Sequence, residues 1–163
     1  MSTSLREFLT QKAADYESKH KNNKQEIEEW QQAVDALFTQ VEVWLAAADP
    51  EGIIEHKRSE TKVSEPGLGQ YPIHYLHLQA FGKWASLLPK ARRTVKRAKP
   101  PQKGAPEQAT GRVDITDELR RYVLYRFTRG TSDEWFIDDT AANTGLEPLT
   151  SARFETALMS YFQ

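Results

Sequence analysis

Seven cations crowd one stretch of the chain: Lys90, Arg92, Arg93, Lys96, Arg97, Lys99 and Lys103. Such density is what a phosphate backbone or another polyanion requires, and full contact by all seven to duplex DNA would give a slope of about −6 in log affinity against log salt. Reading bases or gripping single strands also needs aromatic platforms. None lies within the run, although Phe81 and Trp84 stand just before it. The same composition also describes a solvated loop or a surface facing an acidic protein.

The histidines are His20, His56, His74 and His77. His74 and His77 would share a face on a helix and could chelate a metal, whereas on a strand they point to opposite faces and cannot. A hairpin centred between Pro66 and Gly67 would instead set His56 opposite His77, with Glu55 or Glu65 as a further ligand. Glu55-His56-Lys57 has the Glu-x-Lys form of some metal-dependent nuclease strands. Those sites need a second carboxylate on a preceding strand, and Asp49 sits instead at the end of a helix. Asp138 and Asp139 adjoin on a strand and so face apart, which is poor geometry for an acid/base pair. Glycine-rich phosphate loops and nucleophile elbows are absent from the sequence. No catalytic residue, metal site or cofactor is therefore expected.

Trp30 and Trp44 fall on one helical face about 21 Å apart along the axis. At that spacing aromatics anchor a core, or, if they protrude, a protein partner or a second copy. The helix carrying them is the clearest element. Ile27, Trp30, Val34, Leu37, Val41, Trp44 and Ala48 alternate steps of three and four, and Ala33, Phe38 and Leu45 widen the stripe. A narrow seam suits a coiled coil and a wide one suits packing on a globular core; the width favours the core. Asp49-Pro50 ends the helix. An earlier helix over residues 4–19 has Ser4 as N-cap, Glu7 completing a capping box, and Leu5, Phe8, Leu9, Ala13 and Tyr16 on one stripe. The polar residues 19–24 read as a joint between the two helices.

Residues 53–63 predict an edge strand whose lysines and arginine discourage aggregation, and Glu65-Pro66-Gly67-Leu68-Gly69 predicts a turn. Residues 71–88 fit a strand, a bend at Gly82 and a second strand, although a helical stripe also passes through them. Pro89, Pro100, Pro101, Gly104 and Pro106 mark residues 89–110 as a mobile exposed loop. Strands follow around Val113 and Ile115, then over 122–128 and 134–138. A loop centred on Thr131 would pair Phe127 with Trp135 and Tyr125 with Ile137. Thr150 caps a final helix, with Leu149 and Phe154 in staple positions.

The expected fold is a single α+β domain: an N-terminal helical pair packed on a mainly antiparallel five- or six-stranded sheet, with a C-terminal helix. The 163 residues suit one domain, and the lack of cysteine excludes thiol catalysis and thiolate metal sites. It also points to a cytoplasmic setting. No stretch approaches a membrane span and no leader is visible at residues 1–10. Net charge is −5 over residues 1–51, +8 over 52–103 and −4 over 104–163. That basic middle either serves an anionic partner or is neutralised by the acidic ends. The expected function is a non-enzymatic interaction module or accessory subunit acting through protein-protein contacts. Nucleic-acid binding through residues 90–103 is the second reading and an uncharacterised metal-dependent enzyme the third.

Overall fold

The computed structural model describes residues 4–94, 97–98, 107–139 and 145–163. Helix α1 spans Leu5–Ala48, and nine strands follow among the described residues: β1 Glu55–Glu65, β2 Gly69–Ala80, β3 Lys83–Ala91, β4 Arg97–Ala98, β5 Glu107–Gln108, β6 Arg112–Thr116, β7 Arg121–Arg129, β8 Ser132–Asp139 and β9 Leu146–Pro148. Helix α2, Ser151–Phe162, comes last. Among the described residues β1-β2-β3-β6-β7-β8-β9 form one seven-stranded sheet in that order, and β4-β5 pair separately. All neighbours are antiparallel.

The α+β class with terminal helices holds, but two details of the expectation do not. The N-terminal helical pair is one helix of 44 residues. Residues 19–24 are polar but contain neither glycine nor proline, and asparagine costs a helix only a few tenths of a kcal/mol, so the helix runs through them. The sheet has seven strands because the three-residue β9, too short to show a pattern, adds to β8 beyond the expected six. At the borders of the segment 89–110, β3 runs to Ala91 with Pro89 buried, and Ala109 is buried. Residues 95–96 and 99–106 lie outside the described residues.

Local chemistry sets the ends of the helices. The Ser4 side chain accepts the Glu7 N–H at 3.2 Å, and Thr150 accepts that of Arg153 at 3.2 Å. At the far end of α1 the Asp49 carboxylate accepts the N–H groups of Ile53 and Ile54 at 2.9 and 2.7 Å, turning the chain into β1.

The C-terminal half of α1 and the whole of α2 lie on one face of the sheet. Trp30, Val34, Phe38 and Val41 of α1 and Phe154 of α2 are fully buried against Leu76, Leu87, Ile115 and Leu124. Burying side chains of this size stabilises by about 1.5–3 kcal/mol each. Val123, Tyr125 and Phe127 alternate with Leu124 along β7 and form a second cluster with Phe136 and Ala109 on the opposite face. On β2 both Tyr71 and Ile73, then Leu76 and Leu78, reach the first core. The facing side thus switches between Ile73 and Leu76, where pairing with β3 stops. Beyond that point β1-β2 is a two-stranded ribbon, which twists more strongly than a wider sheet.

Candidate functional site

The basic run meets the acids of α1 rather than solvent. The Arg93 guanidinium donates to both Glu26 oxygens, at 2.8 and 3.2 Å, and Arg92 lies 3.5 Å from Glu29. Their backbone N–H groups donate to the buried Glu65 carboxylate at 2.9 and 3.0 Å, and the Tyr71 hydroxyl donates to it as well. The hydrogen bond from Arg93 holds the Glu26 carboxyl below its ordinary pKa. Burial, then the bond to Glu65, pushes the Tyr71 phenol far above its own. Of the seven cations proposed from sequence, Lys90 is exposed with no carboxylate partner among the described residues. Arg97 pairs through its backbone with Gln108, and Lys96, Lys99 and Lys103 lie outside the described residues. The guanidiniums of Arg92 and Arg93 thus act as braces between α1 and the end of β3.

The same pattern repeats along α1. Arg58 pairs with Glu42 and lies 3.7 Å from Asp35, and His74 bonds Asp35 at 2.9 Å. Arg126, exposed by only 2%, is the buried case. It bonds Glu29, lies 2.9 Å from Asp133, and sits 5.7 Å over the Trp30 ring. Burial opposes its charge, but the two carboxylates hold its pKa above the ordinary guanidinium value. Acidic α1 thus meets Arg58, Arg92 and Arg93 of the basic middle segment, and Arg126 of the segment after it. Nothing in the sequence flagged Arg126, which sits inside an apolar run.

The histidines do not assemble. His74 and His77 lie on a strand, on opposite faces, as that reading required. The proposed pairing of His56 with His77 is displaced by one residue: Lys57 faces His77, and His56 faces Leu78. The turn holds three residues, with Glu65 opposite Gly69, which shifts the register. The second hairpin slips likewise. Arg129 pairs with Ser132, so Trp135 faces Arg126 and Phe136 faces Tyr125. Among the described residues no group of three or more histidine and carboxylate side chains is placed to hold a metal ion.

The two tryptophans differ. Trp30 is wholly buried, with its ring 6.2 Å from that of Trp135. A Cβ on Gly111 would come within 2.3 Å of it, so only glycine allows this approach. Trp30 therefore has no surface to offer a partner. Trp44 is half-buried, 5.7 Å from Phe154, and lines a groove of about 410 Å³ with Ile54, Phe81, Leu158 and Met159. Phe81, 76% exposed, heads the β2-β3 turn at φ 55°, with Gly82 following at 71°.

A further apolar surface, uncovered among the described residues, lies at the other end of α1. Residues 4–22 are exposed throughout, a span of about 27 Å. Leu5, Phe8, Leu9 and Tyr16 are each more than half exposed, at 72, 51, 54 and 72%. They are the stripe read from sequence, but the sheet does not reach them. The last anchor before the overhang is Asn23, whose side-chain amide donates to the Gly67 carbonyl at 2.9 Å. No described helix is long and apolar enough to cross a membrane. Comparison of the chain with protein-family models, with curated proteins and with solved structures yields no match.

Proposed function

We propose that the protein is a non-enzymatic interaction module that works through helix-to-helix contact at the overhanging half of α1. One observation carries this reading: five turns of helix project beyond the sheet with Leu5, Phe8, Leu9 and Tyr16 on one stripe and no element covering them among the described residues. Helices in proteins draw most of their stability from packing an amphipathic face. A second amphipathic helix laid along the stripe would remove its apolar surface from solvent. Trp30 is buried, and the contact proposed here lies further out on α1, at residues 5–16.

The simplest occupant is the same stripe of a second copy. Sedimentation equilibrium of the wild-type protein is expected to show a dimer, and Phe8→Glu with Leu9→Glu is expected to give a monomer that stays folded, with a melting temperature independent of protein concentration, since neither residue touches the core. A wild-type monomer at the highest soluble concentration would dispose of the homodimer. Rapid amide exchange throughout residues 5–22 in that sample would be the matching observation.

A further inference from the structure

The sheet face away from the helices carries an aromatic hollow. Tyr75, His77 and Gln79 alternate along β2 with the core residues Leu76, Leu78 and Ala80. Trp84, Ser86 and Leu88 alternate along β3 with Ala85 and Leu87. Together with Thr61, Gly82 and Lys83 the outward set lines an open hollow of about 490 Å³. The rings of His77 and Trp84 are in tilted contact, 5.7 Å apart and 32° from parallel. Ser86, itself buried, bonds His77 Nδ1 at 2.8 Å and fixes the imidazole. The other ring nitrogen is left without a partner among the described residues. Neither Tyr75 nor Gln79 has a side-chain hydrogen bond there, so the rim keeps a phenol and an amide with unmet capacity.

The charges around the hollow lean one way. Lys57 faces His77 across β1-β2, and cross-strand partners bring their Cβ atoms within about 4.5–5.5 Å. Lys83 lines the hollow itself. Neither lysine has a carboxylate partner among the described residues, unlike Arg58, Arg92 and Arg93. Exposed Glu55, opposite Gln79, is the acid at the rim. Aromatic faces accept any planar base, a free amide and a ring nitrogen read its edge, and unpaired lysines meet a phosphate.

We propose that this outer face of β1-β2-β3 binds a nucleobase carrying phosphate, presented by a nucleotide or by a single-stranded oligonucleotide. The base lies on Trp84 and His77, with its phosphate toward Lys57 and Lys83. This differs from binding through residues 90–103, because Arg92 and Arg93 are committed to α1. It uses the face opposite the helices and is independent of the contact proposed for residues 5–16.

The test titrates the full chain with fluorescein-labelled oligo-uridylate by anisotropy and with adenosine and uridine monophosphates by calorimetry. Stacking on one aromatic makes the expected loss with Trp84→Ala about fivefold to 150-fold. Lys57→Glu with Lys83→Glu should weaken binding and flatten the single-strand salt slope by about 1.4. Both variants should melt as the wild type does, since these side chains lie outside the core. Binding of the monophosphates supports a nucleotide site, and binding of the oligonucleotide alone supports a single-strand site. Absence of binding by every probe would overturn the proposal. So would binding indifferent to Trp84→Ala, or binding of a neutral disaccharide as tight as that of the nucleotides.

Discussion

Replacing Gly111 by alanine tests how α1 is seated. The added Cβ would lie 2.3, 2.6 and 3.1 Å from three ring carbons of Trp30, where ordinary contact begins near 3.4 Å. The indole must therefore retreat by about 1 Å, or the backbone of α1 or of the β6 approach must shift. Room is scarce. Trp30 is fully buried, Trp135 stands on one side, and Arg126 is tied to Glu29 and Asp133. Overpacking of this kind costs about 1–3 kcal/mol. The opposing effect has the other sign: Gly111 is not in a positive-φ conformation, and alanine at a compatible glycine site stabilises by about 0.4–1 kcal/mol through the unfolded chain. A net loss of up to about 2.5 kcal/mol follows, or a fall of up to about 10 °C in melting temperature at about 2–4 °C per kcal/mol. Urea denaturation and thermal melts of wild type, Gly111→Ala, Trp30→Phe and the double variant provide the measurement. The double variant should lose less than the sum of the singles, because the smaller ring vacates the contested space. A gain in stability with Gly111→Ala would refute the close approach.

Three further outcomes are expected. Phe81→Asn should raise stability by about 1 kcal/mol in urea, because an L-residue other than asparagine or aspartate is strained at positive φ; an unchanged midpoint would count against that strain. Glu29→Ala should cost about 1–2 kcal/mol, since it strips one carboxylate from buried Arg126 while Glu29 itself is half exposed; equal stability would show the pair to be dispensable. Burial raises the phenol pKa values of Tyr71 and Tyr161 above the unfolded 10.0. Their contribution should be intact below that pH and decline above it. Melting temperature measured from about pH 9 to about pH 11 should fall, and fall less steeply in Tyr161→Phe, which lacks the hydroxyl that donates to the Ile115 carbonyl at 2.6 Å.

Caps and turns were legible because they rest on local chemistry. Ser4, Thr150, Asp49-Pro50 and Gly82 each act within a few residues of their own position, and each marks the boundary it was expected to mark. Register was harder to read. Along β7 both Leu124 and Val123 are buried, on opposite faces, so alternation did not separate one pairing from its neighbour. Turn length decided instead, with two residues at Gly130 and Thr131 and three at Pro66, Gly67 and Leu68. The stripe of residues 5–16 was visible in sequence, but whether the sheet reaches it depends on where α1 crosses. That is set by Trp30 against Gly111 and by Arg93 against Glu26, contacts between residues far apart in the chain. The aromatic hollow was hidden for a related reason. Tyr75, His77 and Trp84 read equally well as core residues until the sheet has chosen which face the helices cover.

Helix α1 contains neither glycine nor proline from Leu5 to Ala48, so it has no hinge of the usual kind. Its free end and its seated end must then move as one lever. A tilt of 10° about the anchor near Asn23 would carry the tip by about 5 Å, from the rise per residue alone. In the other direction, a load applied at Leu5 would arrive first at the Arg93–Glu26 brace and the bond from Asn23 to Gly67. The fulcrum is thus made of surface polar contacts, while the apolar seat around Trp30 lies beyond it. A pull on the tip would strain the weaker bonds before disturbing the core.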